Sequence, residues 1–404
     1  MPHEPLHSGD DMTAQIENEP ALLFQMMDDL AAYRGELGPG PYWRDNQQAT
    51  VSWLQKNDLD GFRRYEADSK ALSNFGGGSR WPNYRDLANE LRALDRSPVH
   101  RTATKLGIGI VTSHYRRGVR ARARELHAQR MIANLLAQNV VQRDTADELS
   151  NLAMAPVGDP SDLIDIAGRH YTPKFLDEFL KYIEMKDEID FARVKTVVEI
   201  GPGVGTFAEL MAKLDTTRRL YLIDIPPQLY VLEKVLSAIF PGEVLGYRES
   251  KQTPARLSEK DWRIAILAPW QAEDLQITNA DLAFNQVSFS EMQRTTVLAY
   301  LSLLDRWNVR QICLRAADQA KTDEGPGAQD YIDGLANYGL AARHPIATSA
   351  RGLPASAPSG SDARTASVFF FQRRSSTQSG TQELGSDDAS KTGLSSERTQ
   401  PCHP

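Results

Sequence analysis

The sequence predicts an α/β protein in which a mostly parallel, doubly wound sheet follows a helical N-terminal domain. Three observations carry this. Residues 196–200 read as a buried strand, with Val197, Val198 and Ile200, that runs into the turn Gly201-Pro202-Gly203-Val204-Gly205 and then into a helix with Phe207, Leu210, Met211 and Leu214 on one face. Further short apolar runs at 220–223, 263–267, 281–284 and 309–315 alternate with helical patterns, as βα units do. In the first half of the region before residue 150, apolar residues recur at helical spacing instead.

Composition narrows the class. A chain of 404 residues is long enough for two domains and a sizeable core. A formal net charge of -7 and a pI near 5.7 argue against a general nucleic-acid binder, whose surface carries a basic excess. The two cysteines, Cys313 and Cys402, cannot build a disulfide framework, which fits a reducing cytoplasm. The first residues have neither the basic start nor the apolar core of a leader, and no stretch approaches the roughly 18 apolar residues of a membrane span.

Taken in order, residues 1–19 are polar, acidic and aperiodic, and are expected to be disordered. A first helix carries Leu22, Leu23, Met26, Met27, Leu30 and Ala31, and the glycines and prolines of 35–41 end it. A second runs through Tyr42, Trp43, Val51, Trp53 and Leu54, and a third through Leu59, Phe62 and Tyr65. The glycine cluster at 74–81 has no apolar strand in front of it, so it reads as a connector or as a lid that brings Phe75 and Trp81 to a substrate. Residues 114–130 hold six arginines in seventeen positions, the pattern of a solvated helix face or a subunit contact, with an anionic ligand as the alternative. The helix continues into 131–140. The whole segment 20–150 carries more apolar stripes than a lid needs, which predicts a homodimer.

The α/β domain is expected to span 151–374. It opens with a hairpin at 163–172 and a helix whose N-cap is Thr172 and whose first residue is Pro173, with Phe175, Leu176, Phe179, Leu180 and Ile183 on its buried face. That helix feeds the glycine-turn strand, which puts His170 and Tyr171 near the mouth of any site there. The domain closes with an antiparallel pair at 340–346 and 367–372 around a loop rich in Ser, Ala, Gly and Pro. Residues 375–404 have almost no large apolar side chains and are expected to be disordered.

Glycines in the turn let the backbone approach a ligand with no Cβ in the way. Their spacing is G-x-G-x-G; the dinucleotide fingerprint wants its third glycine at position 206, which is Thr206. Glu199 precedes the first glycine by two residues. Asp224 ends the next apolar run, where a carboxylate can accept ribose hydroxyl protons. Asn285, Gln286, Ser288 and Glu291 stand at the carboxyl end of the fourth strand, where open α/β sheets bind ligands; the alternative is that they cap the next helix. No His/Asp cluster has the spacing of metal ligands.

The stretch Val198-Glu199-Ile200-Gly201-Pro202-Gly203-Val204-Gly205 followed by Asp224 resembles the cofactor site of class I S-adenosylmethionine (SAM) methyltransferases. Ser288-Phe289-Ser290-Glu291-Met292, Asp224-Ile225-Pro226 and Val157-Gly158-Asp159-Pro160 narrow the resemblance to the sugar O-methyltransferase family, over roughly residues 150–320. The resemblance implies a Rossmann-like seven-stranded sheet, SAM as cofactor, and methyl transfer to a hydroxyl of a sugar or glycosylated small molecule in natural-product metabolism. It implies cofactor contacts from Glu199, Gly201, Gly203, Gly205, Asp224, Ile225 and Asn285, with Trp270 and Gln271 beside the adenine; Tyr171, by its position near the mouth, and Gln286 and Ser288, by theirs at the strand end, are the candidate acceptor contacts. This chain departs from the family in carrying Asn285-Gln286-Val287 where Asn-Ser or Asn-Thr-His is expected. A hydroxyl acceptor needs a base, for which Glu291 is the first candidate and His170 the second. The alternatives are methylation of a non-sugar metabolite on N or O, an NAD(P)-dependent oxidoreductase, which the glycine spacing disfavours, and a non-catalytic protein of the same fold.

Overall fold

The structure, a computed structural model, describes residues 15–57, 59–63, 138, 146–160, 163–254, 257, 261–320, 324–346 and 366–374. Phe75 and Trp81, the arginine run at 114–130, nearly all of 131–140, most of the loop between the last two strands, and residues 1–14 and 375–404 lie outside the described residues.

The chain begins with α1 (Pro20–Ala32) and α2 (Pro41–Lys56), then the short α3 (Ala146–Ser150). The hairpin of β1 (Ile164–Ile166) and β2 (Arg169–Tyr171) leads into α4 (Pro173–Met185), whose start is fixed as the sequence predicts: the Thr172 hydroxyl accepts the Phe175 N–H at 3.2 Å. There follow β3 (Thr196–Ile200), α5 (Thr206–Leu214), β4 (Arg219–Ile223), α6 (Gln228–Ile239), β5 (Val244–Leu245), α7 (Tyr247–Gln252) and β6 (Ile264–Leu267). The chain continues through α8 (Pro269–Asp274), β7 (Leu282–Gln286), α9 (Arg294–Arg306), β8 (Gln311–Ala317), α10 (Ala328–Asp333), β9 (Tyr338–Pro345) and β10 (Ala366–Arg373).

One eight-stranded sheet runs in the order β5-β6-β4-β3-β7-β8-β10-β9. Strands β5 through β8 pair in parallel, while β10 is antiparallel to both β8 and β9. The α/β class and the terminal antiparallel pair are as the sequence predicts. The strand beyond the expected seven is β5, which has two residues and pairs on the edge through Val244↔Ile264 and Leu245↔Ala265. Two residues leave no periodicity to read.

Alternation along the strands separates two helical layers. Val197, Leu220, Leu222, Leu282 and Phe284 face a core shared with Phe175 and Phe179 of α4, Phe207 and Leu210 of α5, and Leu232 and Leu236 of α6. Val198, Ile200, Tyr221, Ile223 and Ala283 face the opposite core, filled by Val297, Tyr300, Leu301 and Leu304 of α9. A strand buried on both faces needs apolar residues at consecutive positions, which is why β3, β4 and β6 read as unbroken runs.

The described N-terminal residues do not build a core of their own. Leu22, Leu23 and Met26 of α1, with Leu54, Leu59 and Phe62, join the core over α4, α5 and α6. The expectation of disorder through residue 19 fails for the last five positions. Ile16 is buried, the Glu19 N–H donates to the Tyr230 hydroxyl at 2.7 Å, and the Glu19 carboxylate takes Lys234 at 2.8 Å and Arg248 at 2.7 Å. These partners lie more than two hundred residues away, beyond the reach of a composition argument. All the described elements fall within one compact unit that ends at Arg373. No helix among the described residues is long and apolar enough to cross a membrane.

Candidate active site

Strand order reverses at β3, with β4 on one side and β7 on the other. At such a switch point the loops leaving adjacent strands diverge and open a crevice at the strands' carboxyl ends. A cavity of about 300 Å³ lies there. Its wall includes Glu199, Gly201, Gly203, Asp224, Ile225, Gln286, Ser288 and Glu291, so eight of the sequence-predicted site residues converge.

The glycines of the turn differ in what they do. Gly201 and Gly205 both have positive φ, +74° and +80°. A Cβ on Gly201 would overlap the Ser288 hydroxyl and stand 2.6 Å from Ser288 Cβ, so the turn after β3 and the turn after β7 pack without room for a side chain. Gly205 caps α5, a Cβ there would meet Leu232 of α6 at 2.7 Å, and the residue is not in the cavity wall. The Gly203 N–H donates to Asp224 Oδ2 at 3.0 Å, and the Ile225 N–H donates to Oδ1 at 2.8 Å. Burial pushes the Asp224 carboxyl up to about 7 against these two hydrogen bonds, with Glu291 adding to the rise.

The wall on the α4 side is ionic. Lys174, Glu178 and Lys181 recur at helical spacing, and Glu178, 2 % exposed, accepts from Lys174, from Lys181 at 3.2 Å and from Gln286 Nε2 at 3.0 Å. Burial opposes ionisation of Glu178, yet the two ammonium groups hold its carboxyl well below the usual range. Glu199 lies beside this cluster. Burial raises its carboxyl well above the ordinary value, Glu178 and Asp224 raise it further, and Lys174 acts in the opposite sense.

Other predicted residues sit elsewhere. Asn285 lines no part of the cavity: its Nδ2 donates to the Ile200 carbonyl at 2.8 Å and to Ser288 Oγ at 2.6 Å, and its Oδ1 accepts the Phe289 N–H at 3.1 Å, so the side chain ties β7 to β3. Trp270 donates to the Tyr247 hydroxyl at 3.2 Å, and its ring lies 5.5 Å from that of Tyr33. Gln271 accepts the Ala268 N–H at 2.9 Å and donates to Ser250 at 2.8 Å, closing the first turn of α8. Neither is in the cavity wall. Tyr171 is fully buried with its hydroxyl on the Leu149 carbonyl at 2.9 Å, and belongs to the core. His170 is exposed on the hairpin, 3.7 Å from Asp165, and is not in the cavity wall.

Sequence reading missed Leu37, Gly38, Pro39, Gly40 and Trp43 from the N-terminal segment, Lys174 and Glu178 from α4, and Gln228 from α6. The i, i+4, i+7 spacing of Lys174, Glu178 and Lys181 inside an otherwise apolar helix face was the available signal for α4. Val287, between two wall residues that were predicted, holds φ at +70°, a backbone conformation that costs a β-branched residue free energy and clusters at functional sites. No group of metal-ligating side chains occurs among the described residues.

No family model matches the chain, and neither does any curated protein. Solved structures are similar to it at low identity. The mitomycin 7-O-methyltransferase MmcR is 13% identical over 49% of this chain and 55% of its own, with a TM-score of 0.30. PigF with S-adenosylhomocysteine is 15% identical over 50% and 57%, with a TM-score of 0.32. The [4+2]-cyclase SpnF is 11% identical over 50% and 83%, also with a TM-score of 0.32. The chain thus spans little more than half the length of MmcR and PigF.

Proposed function

We propose that the chain is a SAM-dependent methyltransferase acting on a hydroxyl of a sugar or glycosylated small molecule. The sheet topology is the observation that carries the cofactor class. A nicotinamide-binding doubly wound sheet runs 3-2-1-4-5-6 with parallel strands. Here the place next to β8, where a sixth parallel strand would stand, is taken by the antiparallel β10, inserted between β8 and β9, in a sheet whose switch point holds a G-x-G-x-G turn and Asp224.

The residues present fit SAM. Gly201 and Gly203 let the backbone meet a ligand closely. Each Asp224 oxygen takes one backbone N–H and keeps lone-pair capacity for ribose hydroxyls. Glu199 and Lys174 add a carboxyl and an ammonium group to the same wall, polar partners for the amino-acid end of the cofactor. When bound, SAM supplies an electrophilic methyl carbon whose sulfonium leaves as a neutral thioether. The chain's own part is to position and to accept a proton. Holding two reactants at near-attack distance removes about 7–11 kcal/mol of barrier. Glu291 lies in the cavity wall, and in this reading it takes the hydroxyl proton.

A thermal-shift series with SAM, S-adenosylhomocysteine, NAD and NADP tests the reading. SAM and its demethylated product are expected to raise the wild-type melting midpoint by a few degrees, since ligand at a hundred times Kd stabilises by about 2.7 kcal/mol. Gly203→Asp and Asp224→Ala are expected to show no shift. A response to NAD or NADP alone would refute the assignment.

A further inference from the structure

Gln228 has a side chain that the fold does not use. It is 2 % exposed, it opens α6, and it lines the cavity. Neither its Nε2 nor its Oε1 has a hydrogen-bond partner among the described residues. A buried carboxamide with both ends unmet costs free energy that an apolar side chain of the same length would not. Such a group persists where a ligand satisfies it.

Trp43 of α2 lines the same cavity. Gln47, one helical turn further along α2, donates Nε2 to the Pro226 carbonyl at 2.7 Å. Pro226 is two residues before Gln228, so this single bond docks α2 against the start of α6. The cavity is thus lined by a neutral amide, with a donor and an acceptor side by side, and by an indole.

We propose that Gln228 and Trp43 form the acceptor subsite, and that they take a pyranose ring through two adjacent hydroxyls. Vicinal hydroxyls each donate and accept, and so pair with both ends of one carboxamide. The C–H face of the ring is apolar and lies flat against an indole. A neutral amide selects a neutral polyol over a charged acceptor, for which an opposite charge would be the better partner. The proposal rests on the methyltransferase reading and adds to it the residues that choose the acceptor.

The test uses the full chain saturated with S-adenosylhomocysteine. Binding of methyl β-D-glucopyranoside, methyl β-D-galactopyranoside and methyl α-L-rhamnopyranoside is followed by saturation-transfer NMR, and S-adenosylhomocysteine affinity is measured by calorimetry on the same proteins. At least one glycoside is expected to bind the wild type, and to bind about tenfold or more weakly to both Gln228→Leu and Trp43→Leu, because a site built for hydroxyls discriminates strongly once its partner is removed. S-Adenosylhomocysteine affinity is expected to hold within about threefold, which also shows that the variants fold. Absence of glycoside binding to the wild type overturns the proposal. So does a loss of S-adenosylhomocysteine affinity in Gln228→Leu, which would assign the amide to the cofactor. Failure of S-adenosylhomocysteine to bind the wild type is a different result, and it removes the methyltransferase reading together with the proposal.

Discussion

Asp224 Oδ2 accepts the Gly203 N–H at 3.0 Å, so the acid at the tip of β4 and the glycine turn after β3 form one hydrogen-bonded piece. The pairing explains why the carboxylate sits at the switch point before any ligand arrives. It also shows what a ligand must bring, because each oxygen already holds one backbone N–H and further donors must come from outside.

Cofactor affinity is expected to depend on pH through this acid. The folded carboxyl titrates near 7, far above its ordinary value of 3.8, with burial as the main cause. The folded state therefore holds a proton that the unfolded chain has released. Stability of the ligand-free protein should fall as pH rises from about 4 to about 7 and then level off. Ribose hydroxyls donate to the ionised carboxylate, so S-adenosylhomocysteine affinity should rise with pH up to about 7, by at most tenfold per unit, with proton release to the buffer. Calorimetry in buffers of different ionisation enthalpy reads both quantities. Asp224→Asn should bind weakly with a reduced slope; an unchanged slope in that variant would assign the titration to Glu199, which burial also raises.

Gly201→Ala is expected to lower stability by about 2–4 kcal/mol, from a left-handed backbone at φ +74° and from overlap with Ser288. The double variant Gly201→Ala/Ser288→Gly removes the overlap but not the backbone cost. Denaturant unfolding should show the double variant recovering part of the loss. A single variant as stable as the wild type would mean that the two turns are not packed as described.

How much of this was legible follows from the range of the interactions. The glycine turn, Asp224 and the polar end of β7 are local features, and periodicity with strand position was enough to bring them to one cavity. Asn285 was placed correctly at the strand end, yet its carboxamide is taken up by the Ile200 carbonyl and the Phe289 N–H. Residue type and topology cannot tell a ligand contact from a strand tie. The polar atoms of Trp270 and Gln271 are likewise engaged within the fold, by Tyr247 and Ser250. Trp43 and the 37–40 turn lie beside long-range ties, Gln47 to the Pro226 carbonyl at 2.7 Å and Thr296 to the Glu36 carbonyl at 2.9 Å, contacts across roughly two hundred residues or more that no local pattern reveals.

Glu291→Gln separates base catalysis from binding. The amide keeps the shape and loses the proton acceptor, so kcat for a hydroxyl acceptor is expected to fall by about 10²–10⁴. S-Adenosylhomocysteine should still bind. Because Glu291 helps raise the Asp224 carboxyl, the midpoint of the pH-dependent cofactor affinity should also move downward. Full activity in this variant would dismiss Glu291 as the base.

Gln228→Met is expected to make the ligand-free protein more stable. In the wild type the amide is buried with neither end paired among the described residues, and a desolvated unpaired polar group costs about 1–3 kcal/mol. Methionine has a similar length, no strong polar group to desolvate and enough freedom to fill the same space. A gain of about 1 kcal/mol, read as a rise of a few degrees in Tm without ligand, is the expected sign. Most substitutions at a fully buried position destabilise, so a rise would identify Gln228 as a residue held at a cost to the fold. A fall in Tm of similar size would show that the carboxamide already has partners in the ligand-free protein, and that its place in the cavity wall is structural.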